Sequence, residues 1–518
     1  MFLKFFRSGK ESNWAFLALI SILLLITRLI SFRENSLEPD ELEWLYDIRR
    51  CLVDPRPFVG FDSHTSGPFA IYILTLLKLV TSFSKLYQLR IISFIFFILP
   101  SLFLINKIAQ KGTNQIAISV FAIMVSIINI PNPGPIYEAI FSYNSEYQIL
   151  VLTSILFWII RNGEGLKYII LYSFILFLLP FIKLQALPLT AFFGLIFVTK
   201  IYLKDSIRYV FWLIGAYLFF NICWFIFLLN TNLFDDFLYV YLNKNFEYMA
   251  SSDFGHTQIN PINFFNRFSQ FYGFLWIFIG LFFYQLIIKF RDQGLKQFKD
   301  IVIHPLTQSS LALLVSILSI ILAKNDYGHY YILLFLPASI FVADIYKSLK
   351  SHAPIIYIIL VVNFNFIFFG YSCMLIWNKA NHRMQDDFIF GKPFPSMINP
   401  ELKNYVVKNK VENSSILILG WDHAQALYYQ LQNDFDLTYR SSHCSYYERA
   451  FREKNTFMFQ KEEQALLEDL NKKMPYFIVD TWDLVSKFKG TAMPEFVAKH
   501  YDLKLKRKDF AVFQLKKQ

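Results

Sequence analysis

The sequence predicts a polytopic α-helical membrane protein of about eleven crossings, with one helix lying at the outer interface and a soluble α/β domain at its C-terminal end. Three observations carry this reading. The chain is 55% hydrophobic and only 17% charged over 518 residues, an apolar excess that a soluble globular chain rarely reaches. The apolar residues gather into stretches long enough to cross a bilayer, joined by short basic connectors. From about residue 380 onward charges become frequent and no spanning stretch remains.

The candidate spans are residues 14–32, 91–106, 115–130, 145–160, 167–182, 184–199, 209–229, 268–288, 307–323, 329–346 and 354–376. The shorter ones suffice because flanking basic side chains snorkel to the interface. The first reads as a retained helix, since no small-residue cleavage site follows it. Residues 167–199 exceed one crossing, and Pro180 and Lys183 mark a break between two short helices. Residues 68–83 are also apolar, and charge decides their placement. With Lys4, Arg7 and Lys10 in the cytoplasm and 68–83 not crossing, the connectors carrying Lys107/Lys111, Arg161/Lys167, Lys200/Lys204/Arg208, Lys289/Arg291/Lys296/Lys299 and Lys347/Lys350 all fall inside. If 68–83 crossed, every later loop would invert. Residues 68–83 are therefore read as a helix at the outer interface, and the C-terminal segment is placed outside.

The expected domains are 1–379, the membrane unit with its first external loop 33–90, and 380–518, the soluble extracytoplasmic α/β domain. In the latter, 415–420 and 476–479 read as buried strands, and 424–432 and 462–472 as helices. The net charge of +11 is dispersed through short loops and suits topology and anionic lipid rather than nucleic acid. Cys223 and Cys373 read as packing residues. Cys51 and Cys444 are both expected outside, which leaves a bridge open, but four scattered cysteines are no disulfide framework.

Polar groups collect on the expected outer side. Asp40, Glu41 and His64 lie in the first external loop. Tyr143-Asn144-Ser145-Glu146 opens a span, and Lys183 and Gln185 occupy an external turn. Asn325-Asp326-Tyr327-Gly328-His329-Tyr330 opens another span, and the loop 230–266 carries Asp253 and His256. Functional polar groups in membranes gather around a cavity, so one site on that face is expected. Each also has a plain structural reading. Pro39-Asp40-Glu41 suits the first turn of a helix, as Glu146 does. Lys183 suits a snorkelling turn lysine and Arg90 an interface anchor. His329 suits a satisfied structural histidine, and Asp422-His423 a strand-end loop.

The order of these motifs resembles the GT-C superfamily of polyprenyl-phosphate-sugar-dependent glycosyltransferases, in particular the protein O-mannosyltransferases and lipid A aminoarabinose transferases. Pro39-Asp40-Glu41 takes the place of the family's acidic motif after the first span. His64-Thr65-Ser66-Gly67-Pro68-Phe69 is similar to the segment that follows in bacterial members, although Phe69 replaces the usual aliphatic. Arg90, Asn144-Ser145-Glu146, Lys183-Leu184-Gln185-Ala186-Leu187-Pro188 and His329-Tyr330 then follow in order, and the resemblance spans about residues 1–376. The β-trefoil insert of the mannosyltransferases is absent.

The resemblance implies an integral protein of a bacterial-type plasma membrane and an inverting transfer. A sugar would move from a polyprenyl-phosphate-linked donor to a hydroxyl of a glycan, lipid or protein acceptor. Asp40 would be the base and Glu41 its second. Arg90, Lys183 and His329 would bind the donor phosphate, and His64, Glu146, Gln185 and Tyr330 the substrates. Residue spacing suggests neither a metal site nor a cofactor. Two rivals stay open at this level: a flippase or transporter of lipid-linked sugars, and a ligase moving whole polysaccharides. A transporter would carry inverted repeats and charged, discontinuous helices at mid-membrane.

Overall fold

A computed structural model describes residues 9–28, 39–61, 66–127, 143–204, 207–243, 245–246, 261–293, 304–323, 328–350, 400–411, 414–420, 427, 431, 456–481, 485, 492–508 and 510–516. The helices of the apolar part, in chain order, are α1 (Gly9–Arg28), α2 (Pro39–Val53), α3 (Pro68–Thr81), α4 (Leu86–Ser93) and α5 (Leu99–Ile108). They continue as α6 (Asn114–Ile127), α7 (Glu146–Asn162), α8 (Leu166–Ile182), α9 (Leu187–Lys204) and α10 (Ile207–Asn230). The last four are α11 (Pro261–Tyr272), α12 (Phe274–Gln293), α13 (Pro305–Leu322) and α14 (Phe335–Lys350). A π-helical turn, Phe94–Ile98, joins α4 to α5. Short 3₁₀ turns, Leu184–Ala186 and Gly328–Leu334, precede α9 and α14.

Among the described residues five helical stretches are long and apolar enough to cross a membrane, and five further apolar helices are shorter. The expected span 354–376 lies outside the described residues. The helix expected over 68–83 forms as α3, and its Leu76, Leu79 and Val80 are exposed. On α10, Phe211, Leu218, Phe219, Ile222 and Leu229 are exposed together, an apolar surface that suits lipid. Cys223 shares that exposed surface, so it is not the packing residue expected. Cys51 is a buried free thiol, and its suggested partner Cys444 lies outside the described residues.

The chain divides into two compact units that do not follow a cut at 379/380. The first comprises Met1–Arg33, His64–Ala70 and Tyr87–Gln385, and the second Glu34–Ser63, Ile71–Leu86 and Asp386–Gln518. The first external loop therefore contributes α2 and most of α3 to the C-terminal unit. The reason is a shared core. Tyr46 of α2 packs with Leu402, Val406, Ile416, Ile418, Phe477 and Val479.

The second unit also contains α15 (Pro400–Lys408), α16 (Thr456–Lys472) and α17 (Ala492–His500) around a four-stranded sheet. Its strands are β1 (Ile416–Leu419), β2 (Phe477–Asp480), β3 (Tyr501–Lys506) and β4 (Ala511–Leu515), in the order β1-β2-β4-β3. β1 and β2 run parallel with Ile416 opposite Phe477, and both are buried along their length, as the apolar runs require. The antiparallel β3–β4 hairpin was not expected. Residues 424–432 lie largely outside the described residues. The helix expected over 462–472 starts earlier, at Thr456.

In the first unit α8 packs along α10, α6 along α14, and α5 along α7. Gly165, at φ 88°, turns the chain from α7 into α8 in the left-handed region that glycine enters without strain. One end of α7 is fixed by ions. Arg161 Nη2 lies 2.6 Å from Asp344 Oδ2 on α14. Ser309 Oγ donates to the same oxygen at 2.8 Å, and Gln110 Nε2 donates to Oδ1 at 3.0 Å. Arg161 also donates to the Ile108 carbonyl at 3.0 Å. Asp344 thus ties together α7, α13, α14 and the α5–α6 turn. The Asp344→Ala variant leaves the Arg161 guanidinium buried without this carboxylate. Loss of about 3–5 kcal/mol of stability is expected, read as a lowered unfolding midpoint of the purified protein in detergent; an unchanged midpoint would refute the clamp.

Candidate active site

At the opposite end of α7 the second set of ions is built around a broken helix. Pro180 sits in the last turn of α8, where it lacks an N–H for the helical ladder. At Lys183 the backbone becomes extended, with φ −159° and ψ 129°. The carbonyls ahead of the break need other donors. Tyr241 supplies its hydroxyl to the Pro180 carbonyl. The Gly67 N–H reaches the Ile182 carbonyl at 2.7 Å, so that Ser66 and Lys183 form an antiparallel bridge. A Cβ on residue 67 would lie 1.9 Å from the Phe181 carbonyl oxygen, so only glycine allows this approach. Pro68 then opens α3, where a missing N–H costs nothing. The Ser-Gly-Pro segment is therefore a latch on the α8–α9 break.

The latch meets the start of α7. Ser66 Oγ lies 3.2 Å from Ser145 Oγ. Gln148 Nε2 donates to the Tyr143 hydroxyl at 2.6 Å and to the Ala70 carbonyl at 3.0 Å. Glu146, in the first turn of α7, has no solvent exposure. Its Oε1 lies 2.5 Å from Lys183 Nζ and 3.7 Å from His329 Nε2. The ammonium also faces the Tyr330 ring, 4.7 Å from its centroid, and the His329 and Tyr330 rings meet edge to face. The buried carboxylate thus has a counter-charge and a hydrogen bond, without which its burial would be prohibitive.

Four of the expected site residues, Glu146, Lys183, His329 and Tyr330, are brought together. Lys183 is not the snorkelling lysine of the plain reading, because its side chain is buried against Glu146. Gln185 lies in the 3₁₀ turn two residues on, and its amide nitrogen and oxygen are both shielded from solvent with no hydrogen-bond partner among the described residues. Arg90 is buried on α4. Asp40 and Glu41 occupy the first turn of α2 in the other unit, as the helix-start reading expects, and Glu41 is fully buried. The side chain of Asp40 and the whole of His64 lie outside the described residues, as do Asp253 and His256. No group of three or more His, Cys, Asp or Glu side chains is gathered as a metal site among the described residues.

One neighbour was missed from sequence. Arg28, the last residue of α1 and fully buried, donates from Nη2 to the hydroxyl of Tyr147 at 2.5 Å, next to Glu146. The available signal was a guanidinium inside an apolar span, where charge is expensive.

The Glu146–Lys183 pair makes a quantitative expectation. Removing either partner by Glu146→Ala or Lys183→Ala leaves a buried charge uncompensated, at about 3–5 kcal/mol of stability. The double variant should lose less than the sum of the two, a coupling that a double-mutant cycle of unfolding in detergent measures. Strict additivity would show that the two charges do not depend on one another.

No protein-family model matches the chain. No curated protein sequence matches it either. Among solved structures the chain is similar to the crystal structure of ArnT from Cupriavidus metallidurans in the apo state. The likeness covers 97% of this chain and 98% of that one, with a TM-score of 0.52 and 10% sequence identity. At that identity the likeness is one of fold. The chain is a polytopic α-helical membrane protein that shares the fold of that structure, with a small C-terminal sheet.

Proposed function

We propose that the protein is an inverting glycosyltransferase acting at the outer face of a bacterial-type plasma membrane. It moves a sugar from a polyprenyl-phosphate-linked donor to a hydroxyl of a cell-envelope glycan, glycolipid or protein. The observation that carries this reading is the cluster of Lys183, Glu146, His329 and Tyr330 at a broken helix. It lies within a fold shared along nearly the whole chain with ArnT, a lipid A aminoarabinose transferase. The order of motifs in the sequence supports the same class independently of that likeness.

The reaction asks for two things. The acceptor hydroxyl must lose its proton as its oxygen attacks the anomeric carbon, and the polyprenyl phosphate must leave with the electrons of the broken C–O bond. Asp40 is assigned the proton, with Glu41 as its second. The developing charge on the phosphate calls for fixed cations, and Lys183, Arg90 and His329 are assigned to it. An ammonium carries three donors, so Lys183 can hold Glu146 with one and still offer others to a phosphate. Glu146 is thereby reassigned from touching substrate to fixing the position of Lys183. A single base and a phosphate leaving group give direct displacement with inversion, unlike the opposed carboxylates of a glycosidase.

Asp40→Asn is expected to lower transfer by about 10²–10⁴-fold while the protein still inserts and purifies. The measurement is turnover of a polyprenyl-phosphate-linked monosaccharide by the detergent-solubilised protein, and near-normal turnover would remove Asp40 from the chemistry. Arg90→Ala and Lys183→Ala are expected to reduce kcat/KM for the donor at matched amounts of folded protein, because the leaving phosphate gains charge in the transition state. Unchanged values in both would displace the phosphate site. A cysteine introduced near Gln518 should react with an impermeant thiol reagent in spheroplasts, whereas labelling only after lysis would invert the proposed topology.

A further inference from the structure

Gln185 holds an amide whose two polar atoms are buried and make no hydrogen bond among the described residues. Such a group costs free energy in the ligand-free protein, because the water it gave up is not replaced. Its neighbours in the turn are engaged. The Ala186 N–H bonds to the Lys183 carbonyl at 2.9 Å, the Ala186 carbonyl accepts from Thr190 at 3.0 Å, and Lys183 is paired with Glu146. Within the turn Lys183–Ala186 the unmet side-chain capacity is thus that of Gln185, two residues from the ammonium assigned to the phosphate.

The chemistry of that capacity selects a partner. A primary amide presents a donor and an acceptor side by side. A phosphate diester only accepts, so it would satisfy Nε2 and oppose Oε1. A sugar hydroxyl or amino group both donates and accepts, and neighbouring ones satisfy both atoms at once. We propose that Gln185 is a specificity-determining residue that reads the donor's sugar, while Lys183 reads its phosphate. The assignment rests on the transferase reading given above. A site built to hydrogen-bond a substrate group discriminates sharply, since a sugar lacking that group leaves the amide buried and unpaired.

The test compares Gln185→Met with the unaltered full-length protein in detergent. Thermal unfolding is recorded without ligand, with decaprenyl phosphate, and with decaprenyl phosphate carrying mannose, glucose, arabinose or 4-amino-4-deoxyarabinose. Methionine keeps the length of the side chain and removes the unmet polar atoms. The ligand-free Tm is expected to hold or rise, as at sites where function is built at the expense of stability. The unaltered protein should be stabilised more by one sugar-bearing lipid than by decaprenyl phosphate. That surplus should vanish in the variant, with KM for the sugar-bearing lipid raised about tenfold. Gln185→Glu gives a second reading: response to decaprenyl phosphate is kept and the sugar surplus shrinks.

A fall in ligand-free Tm for Gln185→Met would show that the amide serves the fold and would overturn the proposal. So would a surplus that survives both substitutions, or a decaprenyl phosphate response lost in Gln185→Glu, which would put the amide at the phosphate. If the unaltered protein responds to none of the lipids, the transferase reading and the role of Gln185 fall together. Any failure confined to the variants overturns the role of Gln185 alone.

Discussion

The main chain leaves helical geometry at Lys183, and the end of the first unit where α8 meets α9 is organised by that departure. An unbroken helix through 166–204 would use the Ile182 carbonyl internally and leave Gly67 nothing to bind. Because the helix stops, Ser66 and Gly67 close onto it, and the lysine at the break extends to a carboxylate with no solvent exposure. In a bilayer, apolar side chains do not drive helices together, since lipid is as apolar as leucine. Helix register then depends on packing shape and on buried polar contacts. α7 shows this in one element: Glu146 fixes its first turn through Lys183, and Arg161 fixes its last through Asp344. Those pins lie about 22 Å apart by helical rise, and each joins α7 to helices distant in sequence.

Much of this architecture was legible in the sequence. Proline and lysine inside an apolar run too long for one crossing located the α8–α9 break to the residue. The alternating basic connectors and apolar runs gave the helices, and the runs of Ile, Leu and Val at 415–420 and 476–479 gave the parallel strand pair. What escaped depends on contacts that local pattern cannot carry. Tyr46 shares a core with Leu402 and Ile416, more than 350 residues away, so the first external loop looked like part of the membrane unit. The β3–β4 hairpin is partly exposed, β3 alternates apolar with polar or basic residues, and the apolar run of β4 is short. Asp344 and Arg28 sit within stretches whose mean character is apolar, where averaging over a window hides a single charge.

The site was legible by side rather than by partnership. Glu146, Lys183 and His329 were each placed on the outer face, and each was given a contact with substrate. Their mutual distances change the division of labour. A carboxylate 2.5 Å from an ammonium, and beyond the reach of water, is engaged with that ammonium. It holds a cation still, and under the proposed function a cation already held would lose less freedom when a phosphate arrives. By contrast the Gln185 amide, two residues on, has no such partner among the described residues. Two residues of one turn thus differ in kind: one is prepared electrostatically, the other is left with capacity to spare.

The distribution of polar groups along the described helices bears on the choice between transferring a lipid-linked sugar and carrying it across. A carrier needs polar contacts at intermediate depth that release and regain their partners as the cargo moves. In the middle of α7 the hydroxyls are Thr153 and Ser154, and each bonds a carbonyl of its own helix, Ile149 at 2.8 Å and Leu150 at 2.7 Å. In α8 the corresponding hydroxyl, Ser173, is shared between the Ile169 and Leu213 carbonyls at 2.9 and 3.1 Å. These groups are internally satisfied by backbone that cannot move away without breaking a helix. The ions of α7, in turn, lie at its two ends, Glu146 in its first turn and Arg161 in its last. Such an arrangement fits the proposed transfer, which would proceed at one fixed depth with the polyprenyl chain remaining in the bilayer.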